Sequence, residues 1–213
     1  MLQCFAMKHS SIALLSSALL LGGVLIPALG TSSLRAQQAP AASGPAFSSN
    51  NELTRPADYR EWMFVTSGLG MTYSPVTTAN PSPRFTNVYV NPASYRSFMK
   101  TGRWPDQTMF VLEVRGSTSE GSINKGGNFQ TDLLAIEASV KDEARYPGTK
   151  WAYFNFGGGA DLKDRVAALP STANCYACHA ANTAVDNTFV QFYPTLLEVA
   201  RRMGTVKSEF AAH

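Results

Sequence analysis

Cysteine, histidine and charge are all scarce in this chain. Its 213 residues hold three cysteines and three histidines, and only 15% are Asp, Glu, Lys or Arg. So few cysteines exclude a disulfide scaffold of the kind that small secreted domains use in place of a large core. The formal charge is +3; Lys8 and Arg35 supply two of those charges within the first 36 residues, where no acid occurs, so +1 remains for the rest. A near-neutral domain has no basic stripe for nucleic acid and no acidic field to steer a cationic partner. An unbroken apolar run of the ~20 residues that a membrane helix needs is also missing. The run Ile12–Leu29 is interrupted by Ser16, Ser17, Gly22, Gly23 and Pro27. Gly157-Gly158-Gly159 has neither the GxGxxG spacing nor the Lys-Ser/Thr pair of a phosphate-binding loop, and reads as an ordinary loop.

What is present suffices for one globular domain, since 45% of the residues are apolar. Lys8, the interrupted apolar run and the small residues after it read as a secretory signal over residues 1–36, with Ala28-Leu29-Gly30 and Leu34-Arg35-Ala36 as two candidate cut sites. The mature protein is then periplasmic or secreted. Cys4 and His9 leave with the signal, so the mature chain keeps Cys175, Cys178, His179 and the C-terminal His213. Residues 37–51 are Ala, Ser, Pro and Gln with hardly a large apolar side chain, and read as a flexible tether. No internal repeat is visible, and residues 52–213 form the single domain.

Within that domain Trp62–Leu69, Phe85–Val90, Thr108–Arg115, Asp132–Lys141 and Lys150–Phe156 are rich in Val, Phe, Tyr and Thr between turn residues, the pattern of strands. Asn91-Pro92 and Gly102 bracket a helix, as N-cap, first-turn proline and glycine stop. A second short helix is expected at Ala160–Leu169. A third follows Pro194, where Leu196, Leu197, Ala200 and Met203 share one face. Strands first and helices later indicate an α+β domain, an antiparallel sheet covered by helices.

The chemistry is concentrated in Cys175-Tyr176-Ala177-Cys178-His179, a C-x-x-C-H pattern 34 residues before the C-terminus. Two thiols at this spacing can add to the two vinyl groups on one porphyrin edge, and the adjacent histidine is then placed under the iron, so one covalent haem c near the C-terminus is the reading. The alternatives are a small redox disulfide and half of a zinc site. A thioredoxin-like motif calls for a βαβ pattern that is not visible here, and zinc calls for further ligands when His213 is the only spare histidine. Met63, Met71, Met99, Met109 and Met203 are formally available as a sixth ligand, although methionine is more often a filler of core gaps.

Tyr59-Arg60-Glu61-Trp62, Val88 to Tyr95, Thr101-Gly102, Ile136 to Asp142, Cys175 to His179 and Phe192-Tyr193-Pro194 together resemble the cytochrome P-460 family, which includes the beta-type cytochromes c-prime. The resemblance spans about residues 54 to 203. It implies a five-stranded antiparallel sheet with helices, a homodimer, and a five-coordinate haem whose open distal face takes a small molecule such as NO, hydroxylamine or peroxide. In the P-460 enzymes a lysine on the strand matching Thr108–Arg115 is bonded to the porphyrin and an arginine near Phe85–Val90 lies on the distal side. This chain has Leu112 where the lysine aligns, next to Phe110 on that face, and Thr86 where the arginine aligns, with Arg84 one same-face step away. The beta-type cytochromes c-prime, without the lysine link and with an apolar pocket, are the nearer relatives by chemistry.

Glu137 matches a glutamate near the distal site of the P-460 enzymes and could relay protons; the alternative is a solvated strand carboxylate. Three functions follow. One is binding of an uncharged diatomic such as NO in an apolar pocket of Phe110 and Leu112. Another is hydroxylamine oxidation or peroxidase-like turnover using Glu137 and Arg84. The last is electron transfer to a redox partner with a sixth protein ligand.

Overall fold

The computed structural model describes residues 44–73 and 82–211; residues 1–36, read from the sequence as a signal, and His213 lie outside them. Period-two alternation of apolar side chains builds five strands: β2 (Met63–Leu69), β3 (Phe85–Val90), β4 (Met109–Thr118), β5 (Phe129–Lys141) and β6 (Trp151–Asn155). They pair antiparallel in sequence order, β2-β3-β4-β5-β6, so each strand lies beside the next in the chain. The fold is α+β with a five-stranded antiparallel sheet. Strand β4 starts one residue later than the sequence pattern indicates, and β4 and β5 both run three residues further towards their shared hairpin.

The register sorts side chains onto two faces. Val88, Leu112, Glu137 and Asn155 form one row across the sheet, and Val90, Phe110, Ser139 and Tyr153 form the next row of the same face. Tyr89, Val111, Ala138 and Phe154 point the other way. Each face has its own core. The first gathers Val90, Phe98, Trp104, Phe110, Trp151 and Tyr193 with the helices; the second gathers Leu53, Trp62, Val111, Ile136, Val140 and Phe154. Val90, Val111 and Val140 are 0% exposed, and burying a side chain of this kind is worth roughly 1.5–3 kcal/mol.

Helix α1 (Pro92–Thr101) starts and stops as its sequence indicates, with Pro92 in the first turn and Gly102 in the left-handed conformation at φ 66°. Asn91 behaves differently. Its side chain makes no cap bond and turns to β4, accepting from Met109 N at 2.9 Å and donating to the Gln107 carbonyl at 3.3 Å. Helix α3 (Pro194–Arg202) buries Leu196, Val199 and Ala200, while Met203 beyond its end is 42% exposed.

Two expectations are corrected. Ala160–Leu169 is not a helix. A single 3-10 turn at Gly159–Asp161 leads into β7 (Arg165–Val166), which pairs with β1 (Leu53–Thr54) and buries Val166 beside Leu53. Pairing with a distant strand satisfies this backbone in place of a local helix. Of the segment 37–51 read as a flexible tether, residues 37–43 lie outside the described residues and 44–51 do not behave as a tether. From Gly44 the chain lies on the domain: Phe47 bridges to Leu53, packs on Phe154 at 6.2 Å between ring centroids, and carries the Arg145 guanidinium 4.0 Å above its ring. One aromatic side chain anchors a segment that composition alone marks as loose.

Candidate functional site

The C-x-x-C-H pentapeptide opens α2 (Asn174–Asn182), a helix that composition did not signal. Helical spacing places Cys175, Cys178 and His179 at i, i+3 and i+4, on one face of two turns. Both cysteines are free thiols. Among the described residues no group of three His, Cys, Asp or Glu side chains gathers as a metal cage would need.

His179 is held from three sides. Its Nδ1–H donates to the Asn187 carbonyl at 2.8 Å, since a carbonyl can only accept, which leaves Nε2 as the nitrogen with a free lone pair. The imidazole packs 4.5 Å from the Tyr153 ring and 4.7 Å from the Phe189 ring. Burial among these rings pushes its pKa down, partly offset by the bond to Asn187, and so favours the neutral, metal-binding form. Thr183 Oγ1 donates to the His179 carbonyl at 2.5 Å, tying down the end of α2.

Between α2 and the sheet lies a cavity of about 400 Å³. Thr86, Phe110, Leu112, Glu137, Cys175 and His179, all singled out from the sequence, line it together. Cys178 lies one turn along α2 from Cys175, its sulfur 3.8 Å from Asn182 Nδ2. Arg84 is exposed just before β3 and is not on the cavity wall. Lys125 belongs to the exposed hairpin loop Gly121–Phe129, which encloses a separate hollow.

Glu137 stands directly across from Leu112 in the β4–β5 register and faces the cavity with it. Its exposure is to the cavity, whose walls strip enough water to push the carboxyl above the ordinary glutamate range. No hydrogen bond or ion pair to it is formed among the described residues.

Sequence reasoning missed Tyr153 and Phe189, which also line the cavity, as does Met71, one of the methionines available as a sixth ligand. Tyr153 was legible in principle, because strand alternation puts it in the row of Phe110. The loop residues Asn187 and Phe189 carry no periodic signal. Tyr153 is 5% exposed, its hydroxyl has no partner among the described residues, and burial raises its pKa.

A flat, largely apolar cofactor fits these walls. The Cys175 thiol and the His179 imidazole sit on one side, with Cys178 one turn further along α2, aromatic and aliphatic surface lines the rest, and the Tyr153 hydroxyl has no partner among the described residues. Among curated proteins none matches the chain. The sequence profile of the family described as Cytochrome P460 matches residues 56–190, from before β2 to the loop after the cysteine-bearing helix. Most of the ordered domain, its five-stranded sheet and its C-x-x-C-H helix thus fall within that match, and the chain belongs to the cytochrome P460 family of haem-binding cytochromes.

Proposed function

We propose that this protein is an exported mono-haem cytochrome whose haem is attached covalently through Cys175 and Cys178, ligated by His179, and open on the other side to a small uncharged ligand such as nitric oxide. The observation that carries the reading is the row Val88, Leu112 and Glu137 on the cavity face. Leucine supplies apolar surface and no nucleophile, so no amine is available there for a further bond to the porphyrin.

The residues have separable tasks. Cys175 and Cys178 anchor, and His179 offers Nε2 because Asn187 occupies its other nitrogen. Phe110, Leu112 and Val88 exclude water and offer few hydrogen bonds to a polar ligand, which favours one that needs none. Haem iron, when bound, supplies the ligand affinity and electron transfer that side chains cannot.

Glu137 favours a second reading, turnover of hydroxylamine or peroxide, because a cavity-facing carboxyl whose pKa burial raises is placed to hold or release a proton beside a bound ligand. Arg84 is exposed in this structure, so this reading has its charge-stabilising arginine away from the cavity wall. Electron transfer to a redox partner would call for a sixth ligand, and Met71 is the methionine on the cavity wall. Residues 1–36 as an export signal and assembly as a homodimer belong to the same proposal, and mass measurements on the mature protein test both.

The main test is chemical. Haem should stay with the polypeptide in acidified organic solvent, and Cys175→Ala with Cys178→Ala should abolish that. The reduced protein should give an ordinary c-type spectrum with a high-spin component and bind nitric oxide, without the red-shifted band of a lysine cross-link. A low-spin spectrum lost in Met71→Ala would replace the open site with a Met-ligated carrier. Brisk hydroxylamine oxidation by the wild-type protein would favour the enzyme.

A further inference from the structure

The loop that fixes His179 is itself held by a charge pair that none of the tasks above uses. Asp186 and Asn187 both adopt positive φ, 43° and 57°. They form a two-residue turn closed by Thr188 N donating to the Val185 carbonyl at 2.8 Å and Val185 N to the Thr188 carbonyl at 3.4 Å. Two consecutive non-glycine residues in the left-handed region are an unfavourable choice for an isolated chain. Surrounding structure has to hold them there. Lys141, 8% exposed at the end of β5, donates to Asp186 Oδ2 at 2.7 Å and to the Trp104 carbonyl at 2.9 Å. Trp151 Nε1 lies 3.4 Å from the other Asp186 oxygen. On the far side of the turn Trp104 Nε1 donates to Thr188 Oγ1 at 2.8 Å, and Thr188 Oγ1 donates to the Val185 carbonyl at 2.6 Å. The next residue after the ion-paired aspartate is Asn187, whose carbonyl receives His179 Nδ1–H.

We propose that Lys141 and Asp186 are a positioning pair for the proximal histidine: by clamping the 186–187 turn to the end of β5 they set how well the Asn187 carbonyl accepts from His179, and thereby the basicity of the ligand and the redox balance of the iron. The inference rests on the reading of His179 as the proximal ligand. Its physical basis is general. A ligating imidazole whose other N–H is held by a well-aligned acceptor is the stronger donor to the metal and favours the more oxidised ion. Loosening the acceptor weakens the iron–histidine bond and favours the reduced ion.

The test uses the haem-loaded protein with Asp186→Asn, Lys141→Met and, as a control, Arg55→Gln. Asparagine is tolerated at positive φ, so Asp186→Asn keeps the turn while removing the charge pair. Arg55 pairs with Asp164 at 2.7 Å on the β1–β7 side, away from the cavity wall, so its loss reports stability alone. Both pair variants should move the ferrous iron–histidine stretching band to lower wavenumber. They should also raise the ferrous-to-ferric ratio at fixed potential on the order of tenfold, about 59 mV for one electron. The Arg55 variant should leave band and ratio where they are in the wild type. If haem is attached and the band belongs to His179, but neither pair variant moves band or ratio, the positioning role is overturned while the haem reading stands. If the wild-type protein carries no covalent haem or its band survives His179→Ala, the haem reading falls and this inference with it.

Discussion

Glu113 on β4 and Glu137 on β5 are both strand glutamates, one register step apart on opposite faces of the sheet, and their surroundings drive them in opposite directions. Glu113 pairs across the strands with Ile136 and points into the second core, its side chain 2% exposed. Burial pushes its carboxyl up, but donors outweigh burial: Arg115 Nε at 2.6 Å, the Tyr59 hydroxyl, Arg60 Nη2 at 2.8 Å and Asn87 Nδ2 at 3.2 Å bring it down to about 2. Glu137 pairs with Leu112, faces the cavity, has no such donors, and is pushed up. Donors, rather than depth, decide whether a strand carboxylate becomes a fixed structural charge or a group free to exchange a proton.

The largest expected effect breaks the Glu113 side. Glu113→Ala leaves Arg60 and Arg115 without their shared acceptor and should cost about 3 kcal/mol in denaturant unfolding, as removal of one partner of a buried ion pair does. The same network sets an acid limb. Because the folded carboxyl lies near 2 against the usual 4.5, the stability it contributes is fully present above pH 4.5 and is lost as pH falls through about 2. Glu113→Gln should flatten that limb. An unchanged acid transition would mean that other carboxylates carry it.

Leu112→Lys, the next in size, tests the cavity face. It exchanges half-buried leucine surface for an ammonium and should cost ~2 kcal/mol. Glu137 stands directly across the strands and can pair with the new charge, so adding Glu137→Gln should cost a further ~0.5–1 kcal/mol, the usual worth of an opposite-charge cross-strand pair. Additive single and double variants in a double-mutant cycle would show that the two side chains do not meet.

These contrasts also mark what the sequence made legible. Period-two patterning is a local signal, so all five strands could be read, and with them the shared face of Phe110 and Leu112, while their order in the sheet came only with the structure. C-x-x-C-H likewise carries its chemistry in five consecutive residues. Glu113 was passed over because its meaning comes from Tyr59, Arg60, Asn87 and Arg115, which only the register assembles. Residues 160–169 looked helical because the pairing that makes Arg165–Val166 a strand comes from Leu53–Thr54, far away in the chain. The place of Glu137, in the cavity or on a solvated face, turned on a register that one strand's pattern cannot fix.

The smallest effect on stability carries the most functional information. Glu137→Gln should change unfolding free energy by no more than ~0.5 kcal/mol at neutral pH, since the side chain makes no hydrogen bond or ion pair among the described residues. Its pH dependence should run opposite to that of Glu113. A carboxyl raised in the folded state favours folding fully below pH 4.5, and that contribution is lost as pH rises through the folded value. Below that value the cavity is uncharged and can offer an O–H; above it a carboxylate stands beside Leu112 and draws in water. Association of carbon monoxide or nitric oxide with the wild-type protein should therefore show a one-proton transition above the ordinary glutamate range, with faster entry on the acid side. The transition should vanish in Glu137→Gln and persist in Glu113→Gln, which touches only the other face. A transition that survives in Glu137→Gln would assign the titrating group elsewhere in the cavity, and the division of labour between the two faces would then rest on shape rather than on the proton that Glu137 holds.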